Sequence, residues 1–240
     1  MLITILVLAV LFLAYSNGAN DNFKGVATLY GSGQMTYKKA ITWATIAQVA
    51  GSVASVFWAA TLVKNFSGKG LIPDTFLAQP TFAIAGAVGA AETVMLATRI
   101  GMPISTTHGL VGALVGAGFV AAGSDLNVSK LGATFVVPLL ASPLLSAFLS
   151  FVLYFLSKKV VKTEKTDNPM LNYAHQLSAG VVCFARGLND TPKIVGLLII
   201  VQSLDIQYGL IMVATAMAIG GWFNAQKIAE TMSKKNYSPQ

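Results

Sequence analysis

The sequence predicts an all-α integral membrane protein, a multi-span helical bundle with inverted-topology repeats and discontinuous (broken) helices. Apolar residues make up 55% of the 240 residues and charged residues only 10%, whereas about 25% of a soluble domain is charged. The apolar runs are about 17–27 residues long, the length that a helix needs to cross a bilayer. A third observation is a seven-residue pattern, Gly-x-Asn-Asp-x-x-Lys, whose two copies begin at Gly18 and Gly187. Two matching copies indicate two related halves, as in many membrane proteins.

The apolar runs place the helical segments along the chain. We expect them at residues 2–15, 23–31, 40–63, 82–98, 110–122, 131–156, 171–185, 194–204 and 209–222. Three polar, glycine-containing stretches interrupt them, at residues 16–22, 101–109 and 186–193. Broken helices are tolerated at membrane depth only where they line a cavity or are buried in protein. We therefore expect these stretches to surround one polar site.

The lysines predict the orientation of the chain in the membrane. Four of them lie in one short stretch, which the positive-inside rule places in the cytoplasm: Lys158, Lys159, Lys162 and Lys165. Counting spans from this loop puts Lys38 and Lys39 inside and the corresponding loop of the second unit, residues 205–208, outside. The two units are therefore predicted to have opposite topology.

The predicted orientation divides the chain into three parts and places the protein in the cell membrane. Residues 1–157 form a first repeat unit plus a connecting span, residues 158–170 a cytoplasmic loop, and residues 171–240 a partial second, inverted unit. We expect a multi-pass protein of the cell membrane, in the inner membrane of a bacterium because the loops are compact. The net charge of +7 belongs to these loops, so the partner is the lipid bilayer and not nucleic acid. A homodimer stays open, since no motif specifies one.

The two Asn-Asp pairs are the first candidates for a binding site. A helix that begins near Asn20-Asp21 or Asn189-Asp190 would offer unpaired N–H groups to an anion. The carboxylates would suit a cation such as Na⁺. Ion-coupled uptake of an anion needs both. The alternative is simple helix capping by Asn and Asp.

Lys24 and Lys193 close the two copies of the pattern. Each is either a direct anion ligand or a fixed charge that replaces a coupling cation. The alternatives are an ion pair with the Asp three residues earlier and an ammonium that reaches the membrane interface.

The middle interruption carries three hydroxyl groups and an imidazole, from Ser105, Thr106, Thr107 and His108. Hydroxyl groups can donate to the oxygens of an anion or accept around a cation. The alternative is capping of a helix that begins at Gly109, with His108 in a structural role.

Two more polar residues lie inside apolar runs and are candidates for the cation path. Glu92 could relay a proton or bind a cation, or it could pair with Arg99 two turns along the helix. Gln48 is a weaker polar candidate.

An enzyme is not expected. A serine hydrolase would have to combine Ser105, His108 and His175, but the sequence has no Gly-x-Ser-x-Gly elbow. A histidine three residues from its serine also looks badly placed to act as its base. We predict no catalytic residues, no metal site and no cofactor.

The chain resembles the inorganic phosphate transporter family, the sodium- or proton-coupled phosphate permeases, over nearly its whole length. Four elements in the family's order carry the resemblance: Gly-Ala-Asn-Asp at residues 18–21, Pro-Ile-Ser-Thr-Thr-His at 103–108, Gly-Leu-Asn-Asp at 187–190 and Gly-Gly-Trp-Phe-Asn-Ala at 220–225. The resemblance implies symport of phosphate with Na⁺ or H⁺, with phosphate bound between two halves that rock around it. The implied phosphate ligands are Asn20, Asp21, Ser105, Thr106, Thr107, Asn189 and Asp190, to which we add Lys24 and Lys193. The expected cation ligands are Asp21, Asp190, Gln48 and Glu92.

The chain departs from the family pattern in three places. Lys24 stands where the first motif usually has an amide or a small residue, and Gln48 stands where a glutamate is frequent. The first unit runs 87 residues from Gly18 to Ser105, and a second Ser-Thr-Thr-His element at the same spacing would lie beyond Gln240. The chain therefore looks truncated before that element.

Two alternatives to phosphate transport stay open. The same hydroxyl groups and helix dipoles would serve a permease for sulfate or another tetrahedral oxyanion. A protein of a different class, a non-transporting membrane receptor or assembly module, would keep the fold without a complete site.

Overall fold

The computed structural model describes residues 1–58, 60–160, 168–201 and 204–234. Within these ranges the chain forms twelve α-helices: α1 (Leu2–Asp21), α2 (Ala27–Gly31), α3 (Tyr37–Trp58), α4 (Ala60–Phe66), α5 (Asp74–Leu77), α6 (Pro80–Arg99), α7 (Thr106–Ala122), α8 (Val128–Leu131), α9 (Val137–Val160), α10 (Pro169–Val195), α11 (Ile206–Asn224) and α12 (Gln226–Lys234). Short 3₁₀ or π turns continue several of them, at Asn22–Val26, Gly123–Asp125, Gly132–Val136 and Gly196–Leu198.

Six helical segments in the described part are long and apolar enough to cross a membrane. They are Leu2–Gly31, Tyr37–Trp58, Pro80–Arg99, Thr106–Asp125, Val128–Lys158 and Ile206–Asn224. The predicted all-α, multi-pass membrane protein is therefore confirmed. Helix α10 is also long, at 27 residues, but its second half carries Arg186, Asp190 and Lys193.

The centre of the bundle is built on α1. This helix packs against α6 on one side and α11 on the other, while α10 packs along α3 and α3 also contacts α11. Leu6, Val10 and Leu13 of α1 are buried in one apolar cluster together with Val213 and Met217 of α11. The helix pairs α1/α11 and α3/α10 thus form the frame from which the polar residues project.

Both helix pairs meet through a glycine that touches the partner's backbone. A Cβ atom at Gly18 of α1 would overlap the carbonyl group of Met217 in α11, and one at Gly187 of α10 would overlap the carbonyl group of Gln48 in α3. Residues 18 and 187 lie 169 positions apart, and so do residues 48 and 217. The two contacts are therefore the same contact with the two halves of the chain exchanged.

A second pair of contacts repeats this exchange. A Cβ atom at Gly51 would overlap the carbonyl group of Phe184, and one at Gly220 would overlap that of Tyr15. Residues 51 and 220, and likewise 15 and 184, are again 169 positions apart. The two helix pairs consequently pack in one common register, with the backbones as close as small residues allow in membrane bundles.

The structure corrects two of the three predicted interruptions. The prediction for residues 186–193 was wrong, because α10 continues through them to Val195. The first interruption lies later than predicted, since α1 continues to Asp21 and only then tightens into the turn Asn22–Val26. The break predicted at residues 101–109 is present but shorter, because α6 ends at Arg99 and α7 already begins at Thr106.

The predicted cytoplasmic loop is described only at its edges. Lys158 belongs to α9, whereas Lys162 and Lys165 lie outside the described residues. The division into repeat units and the direction of insertion remain predictions.

Candidate functional site

A polar cavity of about 550 Å³ lies where the end of α1, the start of α7 and the second half of α10 meet, with α9 at its side. Its lining residues are Asp21, Lys24, Ile104, Ser105, Thr106, Thr107, Ser142, Ser146, Val182, Ala185, Arg186, Asn189 and Asp190. The copies of the repeated pattern, which are distant in sequence, therefore reach one cavity together with the hydroxyl groups of residues 105–107.

Asp21 forms ion pairs with two cations. Its Oδ1 atom lies 2.5 Å from Nζ of Lys24, and its Oδ2 atom accepts a hydrogen bond from Nη1 of Arg186. Asp21 is only 5% exposed, and a carboxylate so deeply buried requires such partners. Arg186 belongs to α10, so this contact joins the helix of the second motif to the carboxylate of the first.

Lys24 has a further acceptor. Its Nζ atom donates to the backbone carbonyl of Ile104 at 2.6 Å, in the extended stretch before α7. The ammonium thus lies just beyond the C-terminal end of α1, where the helix dipole favours a positive charge.

Asp190 repeats the arrangement with one cation fewer. Lys193, three residues later, donates to Oδ1 of Asp190 at 3.2 Å and to Oγ1 of Thr107 at 2.8 Å. The ammonium of Lys193 also lies 5.7 Å from the ring centre of Phe66. Among the described residues Lys193 provides the only side-chain hydrogen bond to Asp190. No hydrogen bond from the described residues reaches its second carboxylate oxygen.

For Lys24 and Lys193 the structure favours the ion pair with the preceding Asp. Both side chains are buried to about nine-tenths, 10% and 9% exposed respectively. An ammonium that reached out to the membrane interface would be far more exposed.

The helix whose N-terminus lies at the cavity is α7. Ser105 caps this helix and accepts from the backbone N–H of His108 at 3.3 Å. The prediction that helices begin near the Asn-Asp pairs was wrong, because Asp21 is the last residue of α1 and Asp190 lies near the end of α10. The helix end that favours an anion is therefore provided by residues 105–107, and the Asn-Asp pairs contribute side chains.

Asn20 does not line the cavity, but its side chain makes hydrogen bonds to the chain segment that precedes α7. Its Nδ2 atom donates to Oγ1 of Thr98 at 2.9 Å and to the carbonyl of Met102 at 3.0 Å, and its Oδ1 atom accepts from the N–H of Ile104 at 3.1 Å. Asn20 is fully buried, so it fixes the stretch between α6 and α7. Asn17, one turn earlier, supports Thr106 with a hydrogen bond of 2.8 Å.

The structure brings together most of the residues predicted to bind an anion. Asp21, Lys24, Ser105, Thr106, Thr107, Asn189 and Asp190 line the cavity. Lys193 contacts Thr107 from a smaller neighbouring space, whereas Asn20 faces the loop.

The two additional cation candidates lie elsewhere. Gln48 is buried between α3 and α10 at 2% exposure, and neither polar atom of its amide has a hydrogen-bond partner among the described residues. Glu92 lies on the exposed side of α6, away from the cavity. The predicted alternative of a Glu92–Arg99 pair is not among the ion pairs that join described residues.

Three polar lining residues were not predicted as site residues. Arg186 directly precedes the second motif, and as a charge at the end of an apolar run it carried a usable signal. Ser142 and Ser146 are one turn apart on α9, and small hydroxyl residues are too common in membrane helices to single them out.

Ser105 and His108 are closer than the sequence indicated. Nδ1 of His108 lies 2.6 Å from Oγ of Ser105, so the expectation that this histidine is badly placed was wrong. Among the described hydrogen bonds, however, none orients the other ring nitrogen of His108, as a catalytic base would require. Elsewhere His175 contacts Thr28 at 2.8 Å. The described residues contain no group of three or more His, Cys, Asp or Glu side chains that could hold a metal ion.

Comparisons with known proteins point in one direction. A protein of Mycobacterium bovis that is named as a low-affinity inorganic phosphate transporter is 28% identical to this chain. The match covers 97% of this chain and 58% of the relative's own length. Proteins named phosphate permeases from Pyrococcus abyssi and Thermococcus kodakarensis are 31% and 32% identical over 63% and 65% of this chain, and over 37% and 40% of their own. The chain spans about half the length of the curated relatives it matches. No solved structure gave a significant match.

The sequence profile of the Phosphate transporter family matches residues 17–169 and 157–239. Together these ranges include both Asn-Asp motifs and the hydroxyl stretch that line the cavity. The family and these relatives are named as transporters or permeases, in agreement with the expectation that the chain is not an enzyme. The chain belongs to the Phosphate transporter family.

Proposed function

We propose that this protein binds inorganic phosphate in the cavity of Asp21 and Asp190 and carries it across the membrane together with Na⁺ or H⁺. The observation that carries this proposal is the composition of the cavity. Two cationic side chains, two carboxylates, three adjacent hydroxyl residues and a helix N-terminus line it, and a third cation, Lys193, contacts Thr107 from the neighbouring space.

The charges favour a small oxyanion. Lys24, Arg186 and Lys193 outnumber Asp21 and Asp190 by one, so the group carries a net positive charge in a region of low dielectric constant. The start of α7 adds unpaired N–H groups and its dipole. The hydroxyl groups of Ser105, Thr106 and Thr107 can each donate to an anion oxygen.

The carboxylates favour phosphate over sulfate. Phosphate at neutral pH carries at least one P–OH group, which can donate to a carboxylate oxygen, whereas sulfate has no proton to give. The second oxygen of Asp190 is available to such a donor. A buried acceptor left unpaired by sulfate, and repelled by its charge, gives strong discrimination.

Inverted repeats and alternating access belong to the same proposal. The contacts between Gly18 and Met217 and between Gly187 and Gln48 exchange the two halves of the chain, and this packing supports two repeats of opposite topology. Transporters with inverted repeats rock one unit against the other around a midplane site. The cavity lies between the two motif helices, where such rocking would open it to either side.

For the coupling ion we propose Asp21, Asp190 and Gln48 as the residues to test. Na⁺ prefers oxygen ligands, and transporters take them from carboxylates and from the ends of broken helices. The amide of Gln48 is buried without a hydrogen-bond partner in the described part of the chain, which is costly unless water or an ion binds there. Glu92 lies on an exposed face and is left out of the proposed path.

Uptake of labelled phosphate into liposomes tests the proposal. The chain is reconstituted with and without an inward gradient of Na⁺ or H⁺, alongside Asp21→Asn and Asp190→Asn, with Glu92→Gln as the control. Gradient-driven uptake that either cavity variant abolishes and Glu92→Gln retains is the expected result. Preference for sulfate, or binding without any transport, would overturn it.

A further inference from the structure

We infer that Lys24 is an internal counter-cation, whose ammonium occupies an oxygen site at Asp21 that would otherwise bind Na⁺. The inference rests on the proposed function and restricts where a coupling ion can bind. At Asp21 the positive charge that accompanies the anion would be part of the protein and would not come from solution.

The two oxygens that contact the ammonium are of kinds that can also bind sodium. Nζ of Lys24 contacts a carboxylate oxygen of Asp21 at 2.5 Å and the backbone carbonyl oxygen of Ile104 at 2.6 Å. Sodium sites in transporters combine carboxylates with the carbonyls of irregular backbone and the C-terminal ends of helices. Asp21 ends α1, and Ile104 belongs to the irregular stretch before α7.

The two oxygens are held in place without the ammonium. Asn20, which directly precedes Asp21, accepts from the N–H of Ile104 at 3.1 Å and ties the end of α1 to that stretch. Arg186 holds the other oxygen of Asp21. A ligand at this place therefore meets a formed site, and removing the lysine side chain would leave its oxygens near one another.

Lys24 excludes Na⁺ by occupancy and by charge. Its side chain is 10% exposed and is attached three residues after its carboxylate partner, so the ammonium does not have to be captured from solution. A Na⁺ ion at the same oxygens would lie next to it, and two like charges repel strongly when they are buried together.

The second motif has the same arrangement. Lys193 contacts Asp190 and a hydroxyl oxygen, that of Thr107, and residues 24 and 193 are 169 positions apart. Among the described residues Asp190 forms one ion pair, however, whereas Asp21 forms two. The inference therefore removes Asp21 from the three coupling-ion candidates of the proposed function and keeps Asp190 and Gln48.

The test measures sodium binding separately from phosphate binding. Purified wild type, Lys24→Asn and Lys24→Arg are titrated with labelled Na⁺ in the absence of phosphate. We expect Lys24→Asn to bind one more Na⁺ per chain than the wild type, and Lys24→Arg to bind no more than the wild type. Equal sodium binding by the wild type and Lys24→Asn would overturn the inference.

A second measurement tests whether sodium bound at this site strengthens phosphate binding. The affinity for phosphate is compared in sodium chloride and in choline chloride at equal ionic strength. Lys24→Asn should bind phosphate about tenfold more tightly in sodium chloride than in choline chloride, a usual coupling between two sites, and should show a larger sodium effect than the wild type. The same sodium effect in both proteins would contradict the inference.

Chemical restoration of the charge covers the case in which Lys24→Asn does not fold. Lys24→Cys reacted with an aminoethyl thiosulfonate regains an ammonium and should lose the additional Na⁺, whereas an ethyl reagent of the same length should leave it bound. Loss of the ion with both reagents, or with neither, would contradict the inference. Cys183 is buried, and the same treatment of the wild type controls for it. Failure of every protein to bind phosphate would reject the proposed function and leave the sodium result standing.

Discussion

The ammonium of Lys24 lies 2.5 Å from the Oδ1 atom of Asp21, at the point where the first helix of the bundle ends. Lys193 stands in the same relation to Asp190, at 3.2 Å. Each copy of the repeated pattern thus contains its own buried ion pair, and Arg186 links the second copy to the first. Charges at this depth are costly, and their convergence on one cavity connects the packing of the bundle with its proposed role.

Removal of the Asp21 carboxylate should destabilise the protein. Asp21→Asn leaves Lys24 and Arg186 without their counter-charge, and breaking a buried ion pair on one side costs about 3–5 kcal/mol. Thermal unfolding of the purified protein in detergent should show a clearly lower midpoint. Glu92→Gln, on an exposed face, serves as the control and should change stability by less than about 0.5 kcal/mol. A midpoint like that of the wild type would mean that Asp21 is not paired as described.

A double variant tests whether the unpaired positive charges cause this loss of stability. Lys24→Met added to Asp21→Asn removes one of the two unpaired cations, so the double variant should unfold at a higher temperature than Asp21→Asn alone. Additive losses would indicate that the two residues do not interact.

The close approach of α10 and α3 depends on Gly187. Gly187→Ala places a methyl group against the carbonyl of Gln48, so the helices must separate, at a cost of about 1–3 kcal/mol. Gly116→Ala in α7 is the matched control, because a Cβ atom there meets no other atom within 4 Å. The unfolding midpoint should fall for the first variant and stay or rise for the second. Equal midpoints would contradict the described packing.

Thr107 should contribute a hydroxyl group to phosphate binding. Thr107→Val keeps the shape but removes the hydroxyl group, which should weaken phosphate binding about tenfold, as expected for a hydrogen bond of about 1–3 kcal/mol to a charged group. Thr107→Ser keeps the hydroxyl group and should retain most of the affinity. Isothermal titration measures both, and an unchanged affinity in Thr107→Val would exclude the hydroxyl group from the site.

Asp190 should determine the preference between phosphate and sulfate. Asp190→Asn replaces an acceptor by a group that also donates, so the ratio of phosphate to sulfate affinity should fall by about tenfold or more. Competition of unlabelled sulfate against labelled phosphate gives this ratio directly. The same ratio in the wild type and the variant would show that Asp190 does not recognise the P–OH group.

Much of the site was predictable, because ionisable residues in apolar runs are few and each of them demands a partner. Asp21 and Asp190 could be grouped on this ground before any geometry was known, and the hydroxyl stretch because it interrupts an apolar run. The direction of each side chain could not be predicted. Asn20 and Asp21 are neighbours on one helix, yet they point to different surroundings because successive residues are rotated by about 100°.

The continuity of α10 was the main failure of sequence reasoning. Residues 186–193 are polar and contain Gly187, and such a stretch between two apolar runs suggested a break. In the structure Gly187 provides the close contact with α3, and the side chain of Asn189 faces the cavity while its backbone stays helical. Such tertiary contacts override local propensity, and a single sequence does not reveal which distant segments are in contact.

The most direct test of the central claim is equilibrium binding of labelled phosphate to the purified chain, compared with Arg186→Gln and Glu92→Gln. Arg186 lines the cavity, and the loss of its charge should weaken phosphate binding by about tenfold or more. Glu92 lies on an exposed face of α6, and its variant should bind as the wild type does. Saturable binding that falls in Arg186→Gln alone is the result we predict. Absence of binding, or binding that both variants leave unchanged, would contradict the assignment of the cavity as a phosphate site.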